Sequence, residues 1–387
     1  MTKKSIWICL AFAYVFTAMS AARADAGPKS YDLLPNDGPP HLLAESVIST
    51  PGDEAGGVFS VDGSEFYFTK LNPATSRSRL GLLCVSQWRD GKWGEPEVLP
   101  FSGTYLDFLP RLSPDGKAMY FGSTRPLPDS KVRALRIWKV EKTERGWGGP
   151  AALPAVINGP EGHGNWGASV TRDGTIYFAS DRDPAGHLQI YRAAMTAGTY
   201  DKPEKLGPEI NSEFNDYEPF VNGEESLLFF VSAGVGVPPF PHRADTLTGG
   251  GFPYPRGDIY FSRRVKGRWT RAQHLEYGVN TVADEGAPSL TPDGKHLIFR
   301  SERSPFLIPM PKRIDMAEFD RLVHSTLNGH GNIYTISIHA LGLDEAIEGS
   351  DEAARLGCGG RDLGELRFSE GVVEDVSTKS VGGKSTC

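Results

Sequence analysis

One short turn sequence recurs along this chain and constrains its fold more than any other feature. The clearest copy is Ser113-Pro114-Asp115-Gly116, followed by the apolar triplet Met119-Tyr120-Phe121. Proline presets φ at the second turn position, aspartate tolerates the third, and glycine adopts the left-handed conformation, so this sequence predicts a hairpin between two antiparallel strands. The third residue of each copy marks a turn position, and the turn positions are Asp62, Asp115, Asp173, Glu224 and Asp293. Five equivalent hairpins predict a repeat architecture.

The spacing of the repeats indicates the kind of fold. Successive turn positions lie about 50 to 70 residues apart, and each full repeat contains four strand-like pieces, the last with the form of Trp93, Pro96 and Leu99. A four-stranded unit that recurs about every 40 to 50 residues is typical of a β-propeller blade, with the excess residues in loops. The first strand carries small residues such as Gly56 and Gly57, which suits strands that meet around an axis. We therefore predict an all-β fold, a propeller of four-stranded antiparallel blades.

The two ends of the repeat region complement each other. The fifth repeat ends after residues 332–338 without a fourth strand, whereas residues 40–50 contain such a strand without a blade of their own. Pairing the two closes the ring and leaves no unpaired sheet edge, which predicts five blades closed by an N-terminal strand. Six blades are the alternative if residues 341–387 supply further strands, but this stretch is acidic and poorly patterned. We assign residues 25–39 to a lead-in, 40–343 to the propeller and 344–387 to a C-terminal extension.

The N-terminus has the form of a signal peptide. Lys3 and Lys4 precede an apolar run that ends near Ala18, and Ala22-Arg23-Ala24 has the small-x-small form of a cleavage site. We expect residues 1–24 to be removed, the mature chain to begin near Asp25, and the protein to be periplasmic or secreted. The apolar run is shorter than the ~20 residues that span a bilayer, so we expect no membrane span after cleavage.

Charge and cysteine content narrow the possible partners. The formal net charge of -7 argues against nucleic acid as a partner, because neutralising phosphates needs a basic surface. Cys84 lies in an apolar strand and is expected to be a buried thiol. A disulfide between Cys358 and Cys387 is possible, but the number of cysteines does not decide it. The cysteines do not have the spacing of a metal site. We predict no organic cofactor, and leave a bound divalent cation as a possibility.

The repeats resemble the WD40-like Pro-Asp-Gly repeats of TolB-type periplasmic propellers. The resemblance rests on Ser113–Gly116, on the Gly-Asp-Ile-Tyr sequence at 257–260, and on Ser-x-Arg triplets at 123–125, 180–182 and 301–303. It covers about three quarters of the chain and implies an exported propeller that often serves as a protein-interaction scaffold, with no single chemistry. TolB itself has six repeats and an N-terminal α/β domain, whereas we expect five repeats here and see no obvious sequence of that domain, so its role in translocation does not transfer.

Candidate site residues follow from counting along the repeats. The positions eight residues before each turn position lie just ahead of the inner strands and are expected near one mouth of the central channel: Glu54, Asp107, Asn165, Asp216 and Glu285. Converging carboxylates can bind a cation or a basic peptide, or raise one another's pKa enough to serve as acid and base. Alternatively, each one caps a turn or pairs with the arginine of a Ser-x-Arg triplet. His163 and Trp166 are expected at the same mouth, where Asp53 and Glu218 add acid.

These residues support three interpretations of function. The first is a binding or scaffold protein that engages a ligand, or a protein or glycan of the cell envelope, at the channel mouth or through residues 234–257. The second is a glycoside hydrolase-like enzyme that uses two of the mouth carboxylates. The third is an envelope scaffold that works through its outer rim, where five residues form a basic cluster: Arg263, Arg264, Lys266, Arg268 and Arg271. The chain contains neither a His-Glu-x-x-His nor a Gly-x-Ser-x-Gly motif.

Overall fold

Five antiparallel sheets form a five-bladed β-propeller, which confirms the predicted fold class. The structure is a computed structural model and describes residues 28–73, 79–127, 134–159, 163–233, 257–307 and 309–344. The signal sequence, Cys358, Cys387, positions 234–256 and the extension beyond position 344 lie outside these residues, so the predictions made for them are untested. No helix in the described ranges is long and apolar enough to cross a membrane.

Each blade consists of four strands, in order from the innermost to the outermost. Blade 1 contains Asp53–Phe59, Glu65–Leu71, Gly81–Arg89 and Glu97–Val98. Blade 2 contains Asp107–Leu112, Ala118–Ser123, Arg136–Thr143 and Ala151–Ala152. Blade 3 contains Asn165–Val170, Ile176–Ser180, Gln189–Ala193 and Glu204–Lys205. Blade 4 contains Asn215–Val221, Leu227–Ala233, Gly257–Val265 and Gln273–His274. Blade 5 contains Glu285–Leu290, His296–Ser301, Asn332–Ser337 and His41–Leu42.

Short elements complete the blades and their connections. The aromatic residue that precedes each outer strand belongs to a separate two-residue strand in blades 1 to 4: Lys92–Trp93, Gly146–Trp147, Thr199–Tyr200 and Arg268–Trp269. Thr199–Tyr200 pairs with Met195–Thr196. The helical segments are Ser30–Leu33, Ala155–Asn158, Pro305–Leu307 and Met316–Val323. The last begins after Asp315, whose side chain accepts a hydrogen bond from the Glu318 N–H and so caps the helix.

The N-terminal strand closes the ring, as predicted. His41 and Leu42 pair with Thr335 and Tyr334 on the third strand of blade 5. The contact continues beyond the strand, because the Leu43 N–H donates to the carbonyl of Ile333 at 2.9 Å. The lead-in also packs on the ring: Tyr31 is buried and donates from its hydroxyl to the carbonyl of Val61.

The core consists of layers between neighbouring blades. In each layer, the phenylalanine near the end of a blade's second strand packs with residues of the adjacent blade. For example, Phe121 of blade 2 packs in the same cluster as Tyr67 of blade 1. Tyr177 of blade 3 and Phe230 of blade 4 are related in the same way. Because each buried side chain of this size contributes about 1.5–3 kcal/mol, this repeated packing is the main stabilisation of the ring. Cys84 lies in one such layer as a buried free thiol, and burial raises its pKa to about 11.

Candidate functional site

All five inner strands carry the same irregularity close to the channel axis. Two residues after each predicted site position the backbone turns to a positive φ of 44–54°, at Gly56, Leu109, Gly167, Glu218 and Ala287. In every blade, the pairing between the inner strand and the second strand shifts register at this point. Bulges of this kind redirect side chains and are frequent near functional sites.

The predicted site residues are all buried. All five are 0% exposed: Glu54, Asp107, Asn165, Asp216 and Glu285. Four of them accept hydrogen bonds from a serine or threonine four or five residues earlier, as Glu285 does from the Thr281 hydroxyl at 2.7 Å. The side chains therefore fix the connection that enters each blade.

Cations accompany four of these five side chains. The Arg125 guanidinium lies 2.9 Å from Asp107, Arg182 donates to Asn165 at 2.9 Å, Arg303 lies 3.8 Å from Glu285, and Lys70 lies 3.1 Å from Glu54. The three arginine contacts are those of the alternative interpretation, in which each predicted site residue pairs with the arginine of a Ser-x-Arg triplet, whereas Lys70 was not predicted as a partner. Burial nevertheless raises the pKa of Glu54, Asp107 and Glu285, and raises the pKa of Asp216 to about 6. Ligand binding at these positions stays a prediction.

His163 and Trp166 lie together at the start of the blade 3 inner strand. His163 Nδ1 is 3.2 Å from Asp181 Oδ1, and the same oxygen accepts a hydrogen bond from the Gly164 N–H at 2.8 Å. Trp166 packs over Gly164, where a Cβ would lie 2.5 Å from its ring. The structure therefore adds Asp181, the middle residue of a Ser-x-Arg triplet, to this predicted pair.

A second group of carboxylates is accessible at the mouth. Arg300 Nη1 lies 2.9 Å from Asp284 and Nη2 lies 3.4 Å from Asp53, while Glu302 also contacts Nη2. The side chains of Asp53, Asp284 and Glu302 keep 12%, 27% and 32% of their surface exposed, unlike the predicted site residues. We call these three carboxylates and Arg300 the mouth cluster. It joins blades 5 and 1.

Burial governs the charge of the mouth cluster. It raises the pKa of Asp284 and of Glu302, although the Arg300 guanidinium opposes the increase. Burial alone would lower the pKa of Arg300, but Glu302, Asp53 and Asp284 raise it well above its usual value. The guanidinium of Arg300 therefore stays charged and is shared by the carboxylates of Asp53, Asp284 and Glu302.

Glu218 lies deeper in the channel, at the bulge of blade 4. Its carboxylate accepts a hydrogen bond from the Ala287 N–H at 2.6 Å, and burial raises its pKa while Arg300 and Arg111 oppose the increase. Arg111 is 2% exposed and donates to the carbonyl of Pro288 at 2.9 Å. These contacts place one more carboxylate and one buried cation below the mouth cluster.

Asp284 and Glu302 were not predicted as site residues, although their positions in the sequence indicated them. Asp284 directly precedes a predicted site position, and Glu302 is the middle residue of its Ser-x-Arg triplet. Because side chains alternate along a strand, the neighbours of a buried position face the other way. The position of Arg300 had no such signal, since its contact with Asp53 depends on closure of the ring. Within the described ranges, no group of three or more His, Cys, Asp or Glu side chains is arranged to hold a metal ion.

Comparisons with known proteins add structural likenesses. No family model matches the chain, and no curated protein matches it. An endo-arabinase from Bacteroides thetaiotaomicron is similar at a TM-score of 0.43 and 14% identity, over 75% of this chain and 96% of that one. The α-L-arabinofuranosidase of Podospora anserina is similar at a TM-score of 0.40 and 9% identity, over 78% and 95% of the two chains.

A third likeness is to part of a larger protein. A puromycin-hydrolyzing peptidase of Mycobacterium tuberculosis is similar at a TM-score of 0.35 and 11% identity, over 79% of this chain. The chain spans about half of that peptidase, or 48% of its length. At such identities and TM-scores, these likenesses carry no argument about function.

Proposed function

We propose that this propeller is a binding protein whose channel mouth engages a cationic group of a ligand or of a protein partner. The observation that carries the proposal is the mouth cluster, in which Asp53, Asp284 and Glu302 surround a single guanidinium. Glu218 adds a further carboxylate below them. Partly buried carboxylates in excess over cations create a negative potential that attracts positively charged ligands.

The cellular setting belongs to the same proposal. We propose an exported protein of the WD40-like, TolB-type propeller group, periplasmic or secreted, with a protein or glycan of the cell envelope as its partner. The support is the N-terminal sequence, in which Lys3 and Lys4 precede an apolar run and Ala22-Arg23-Ala24. N-terminal sequencing of the mature protein tests it, and an intact Met1 would contradict it.

A carbohydrate-active enzyme is the second candidate. It is favoured by the position of Asp284 and Glu302 around one guanidinium and by burial, which raises the pKa of both, because a raised pKa brings a carboxyl group closer to the range in which a general acid works. A neighbouring carboxylate such as Asp53 would then act as base or nucleophile.

One experiment separates the two candidates. Wild-type protein is titrated with tetralysine and, separately, with a panel of neutral oligosaccharides, while released reducing sugar is measured. Saturable binding of tetralysine that weakens with added salt, without sugar release, supports the binding protein. Sugar release that Glu302→Gln abolishes would replace it with the enzyme.

A further inference from the structure

An apolar groove lies on the insertion of blade 5. The insertion connects the second and third strands of this blade and contains the helix Met316–Val323. The groove has a volume of about 290 Å³ and is lined by Phe306, Phe319, Val323, Asn328 and His330. Phe306 and Phe319 contact each other, with ring centres 6.0 Å apart and ring planes inclined by 57°. The groove therefore combines an aromatic surface with two polar side chains.

The apolar residues of the groove are open to solvent. Phe306, Phe319 and Val323 keep 39%, 43% and 38% of their surface exposed, whereas Leu322 on the same helix is buried. Exposed apolar side chains that are scattered singly need no explanation, but several that line one cavity are typical of an interaction site. In the described part of the chain, the helix thus leaves apolar surface uncovered on the side of the groove.

Hydrogen bonds hold the polar side of the groove on blade 1. The Asn328 amide donates to the carbonyl of Pro51 at 2.9 Å, and His330 Nδ1 lies 3.1 Å from the same oxygen. The Asn328 side chain also accepts a hydrogen bond from the His330 N–H at 2.9 Å. Pro51 belongs to the connection that enters the inner strand Asp53–Phe59. This side of the groove is therefore in place before a ligand binds, which lowers the entropic cost of binding.

The groove adjoins the mouth cluster. The Gly331 N–H, one residue after His330, donates to Asp53 Oδ1 at 3.2 Å. The same oxygen lies 3.4 Å from Arg300 Nη2. Because consecutive Cα atoms are about 3.8 Å apart, His330 of the groove lies within one residue of a mouth carboxylate. Apolar surface and negative charge are thus next to each other at the channel mouth.

We propose that the groove binds an apolar side chain of a peptide whose lysine or arginine occupies the mouth cluster. The proposal rests on the cation binding proposed above and adds the class of partner, a protein segment with an aromatic or large aliphatic residue close to a basic one. Charge complementarity selects the basic residue, and the rings of Phe306 and Phe319 select the apolar one. The volume of about 290 Å³ suits a single side chain, since sites for whole small molecules begin at roughly 300 Å³.

Two peptides of equal charge test the groove. Lys-Lys-Phe-Lys-Lys and Lys-Lys-Ala-Lys-Lys, both with blocked ends, are titrated into wild-type protein, and Kd is measured by calorimetry. The peptide with phenylalanine should bind about tenfold more tightly, because the groove removes its ring from water. Equal Kd values for the two peptides would overturn the proposal.

Variants of the two aromatic residues locate the effect. Phe319→Ser should abolish the preference for phenylalanine and leave the affinity for tetralysine unchanged. Phe306→Ser should do the same from outside the helix, which distinguishes loss of the groove from a change in the helix. Met316→Ser is the matched control and should keep the preference, because Met316 is exposed on the same helix but does not line the groove. A preference that persists in both phenylalanine variants would contradict the groove as its source.

Other occupants of the groove would give different results. A dimer that forms with rising protein concentration and is lost in Phe319→Ser would assign the groove to a second copy of the chain and overturn the proposal. Strong destabilisation by Phe319→Ser, together with no preference for phenylalanine in wild type, would show that the chain fills the groove itself. Sedimentation and melting temperatures give these two measurements.

Tetralysine separates failure of this inference from failure of the proposed function. Wild-type protein that binds tetralysine without any preference for phenylalanine keeps the cation site and loses the groove. Wild-type protein that binds neither tetralysine nor either pentapeptide loses both. Glu302→Gln should weaken the two pentapeptides by the same factor, so that the preference for phenylalanine survives the change at the mouth cluster.

Discussion

Arg111 of blade 2 donates a hydrogen bond from Nη2 to the carbonyl oxygen of Pro288 in blade 5, at 2.9 Å. These two blades are not neighbours in the ring, so the bond crosses the central channel. Arg111 is 2% exposed, and Glu218 is the charged group that partly compensates its burial. The Arg111 side chain therefore links blade 2 to blade 5 across the channel.

Removing this cross-channel bond should destabilise the ring. Arg111→Met leaves the Pro288 carbonyl without its donor, and we expect a loss of about 2 kcal/mol at pH 7, as for a buried acceptor left unpaired. The free energy of unfolding from urea titration gives the measurement. Arg145→Met, at an exposed position of the same blade, is the control and should change stability little.

The same variant should also change the pH dependence of stability. Arg111 opposes the burial that raises the pKa of Glu218, so its removal raises that pKa further above 4.5. When a carboxyl group has a higher pKa in the folded protein than in the unfolded chain, the free energy of unfolding falls as the pH rises from the unfolded-state pKa to the folded-state pKa. The deficit of Arg111→Met should therefore be smaller at pH 4.5 than at pH 7, and a deficit that is constant with pH would contradict this role.

Asp216 should make stability fall as pH rises through the weakly acidic range. Its pKa is raised from 3.8 to about 6 by burial, so the folded protein binds more protons than the unfolded chain between these values. The shift corresponds to a loss on the order of 3 kcal/mol between pH 4 and pH 6.5. Asp216→Asn should be more stable than wild type at pH 7 and close to it at pH 4. Parallel stability curves for the two proteins would contradict the shift.

Arg125 and Asp107 should behave as a coupled pair. Arg125 Nη2 donates to both carboxylate oxygens at 2.9 Å, and neither side chain is more than 9% exposed. Arg125→Met leaves a buried charge without its partner, and we expect a loss of about 3–5 kcal/mol. Adding Asp107→Asn should recover part of that loss. Additive losses in the double-mutant cycle would show that the two side chains act independently.

The glycine at the bulge of blade 3 should resist substitution. Gly167 has a φ of +44°, and a Cβ there would lie 2.9 Å from Glu218 Cα. Gly167→Ala should therefore destabilise the protein by more than the ~1 kcal/mol expected from the backbone conformation alone. Gly91→Ala is the matched control, because Gly91 also has a positive φ of +75° but nothing within 4 Å of its Cβ position. Equal losses in melting temperature would rule out the close approach of blades 3 and 4.

The turn sequences predicted much of this molecule because local chemistry defines each hairpin. The turn at Asp115 and the buried Phe121 follow from residues next to each other in the chain, and closure by residues 40–50 follows from counting strands. The same counting found Glu54 and Glu285, but it could not show that both are buried beside cations. That outcome depends on contacts between distant residues, as Arg300 shows by joining Asp284 of its own blade to Asp53 of blade 1.

The most direct test of cation binding at the mouth is the affinity for tetralysine of Glu302→Gln compared with wild type. This change leaves Arg300 with Asp53 and Asp284 as partners, so the fold should survive. The matched control is Glu141→Gln, at an exposed glutamate away from the mouth that pairs with Lys139 at 2.8 Å. We expect Kd to rise roughly tenfold for Glu302→Gln, about 1.4 kcal/mol, and to stay unchanged for Glu141→Gln. Equal affinities for all three proteins would contradict a cation site at the mouth cluster.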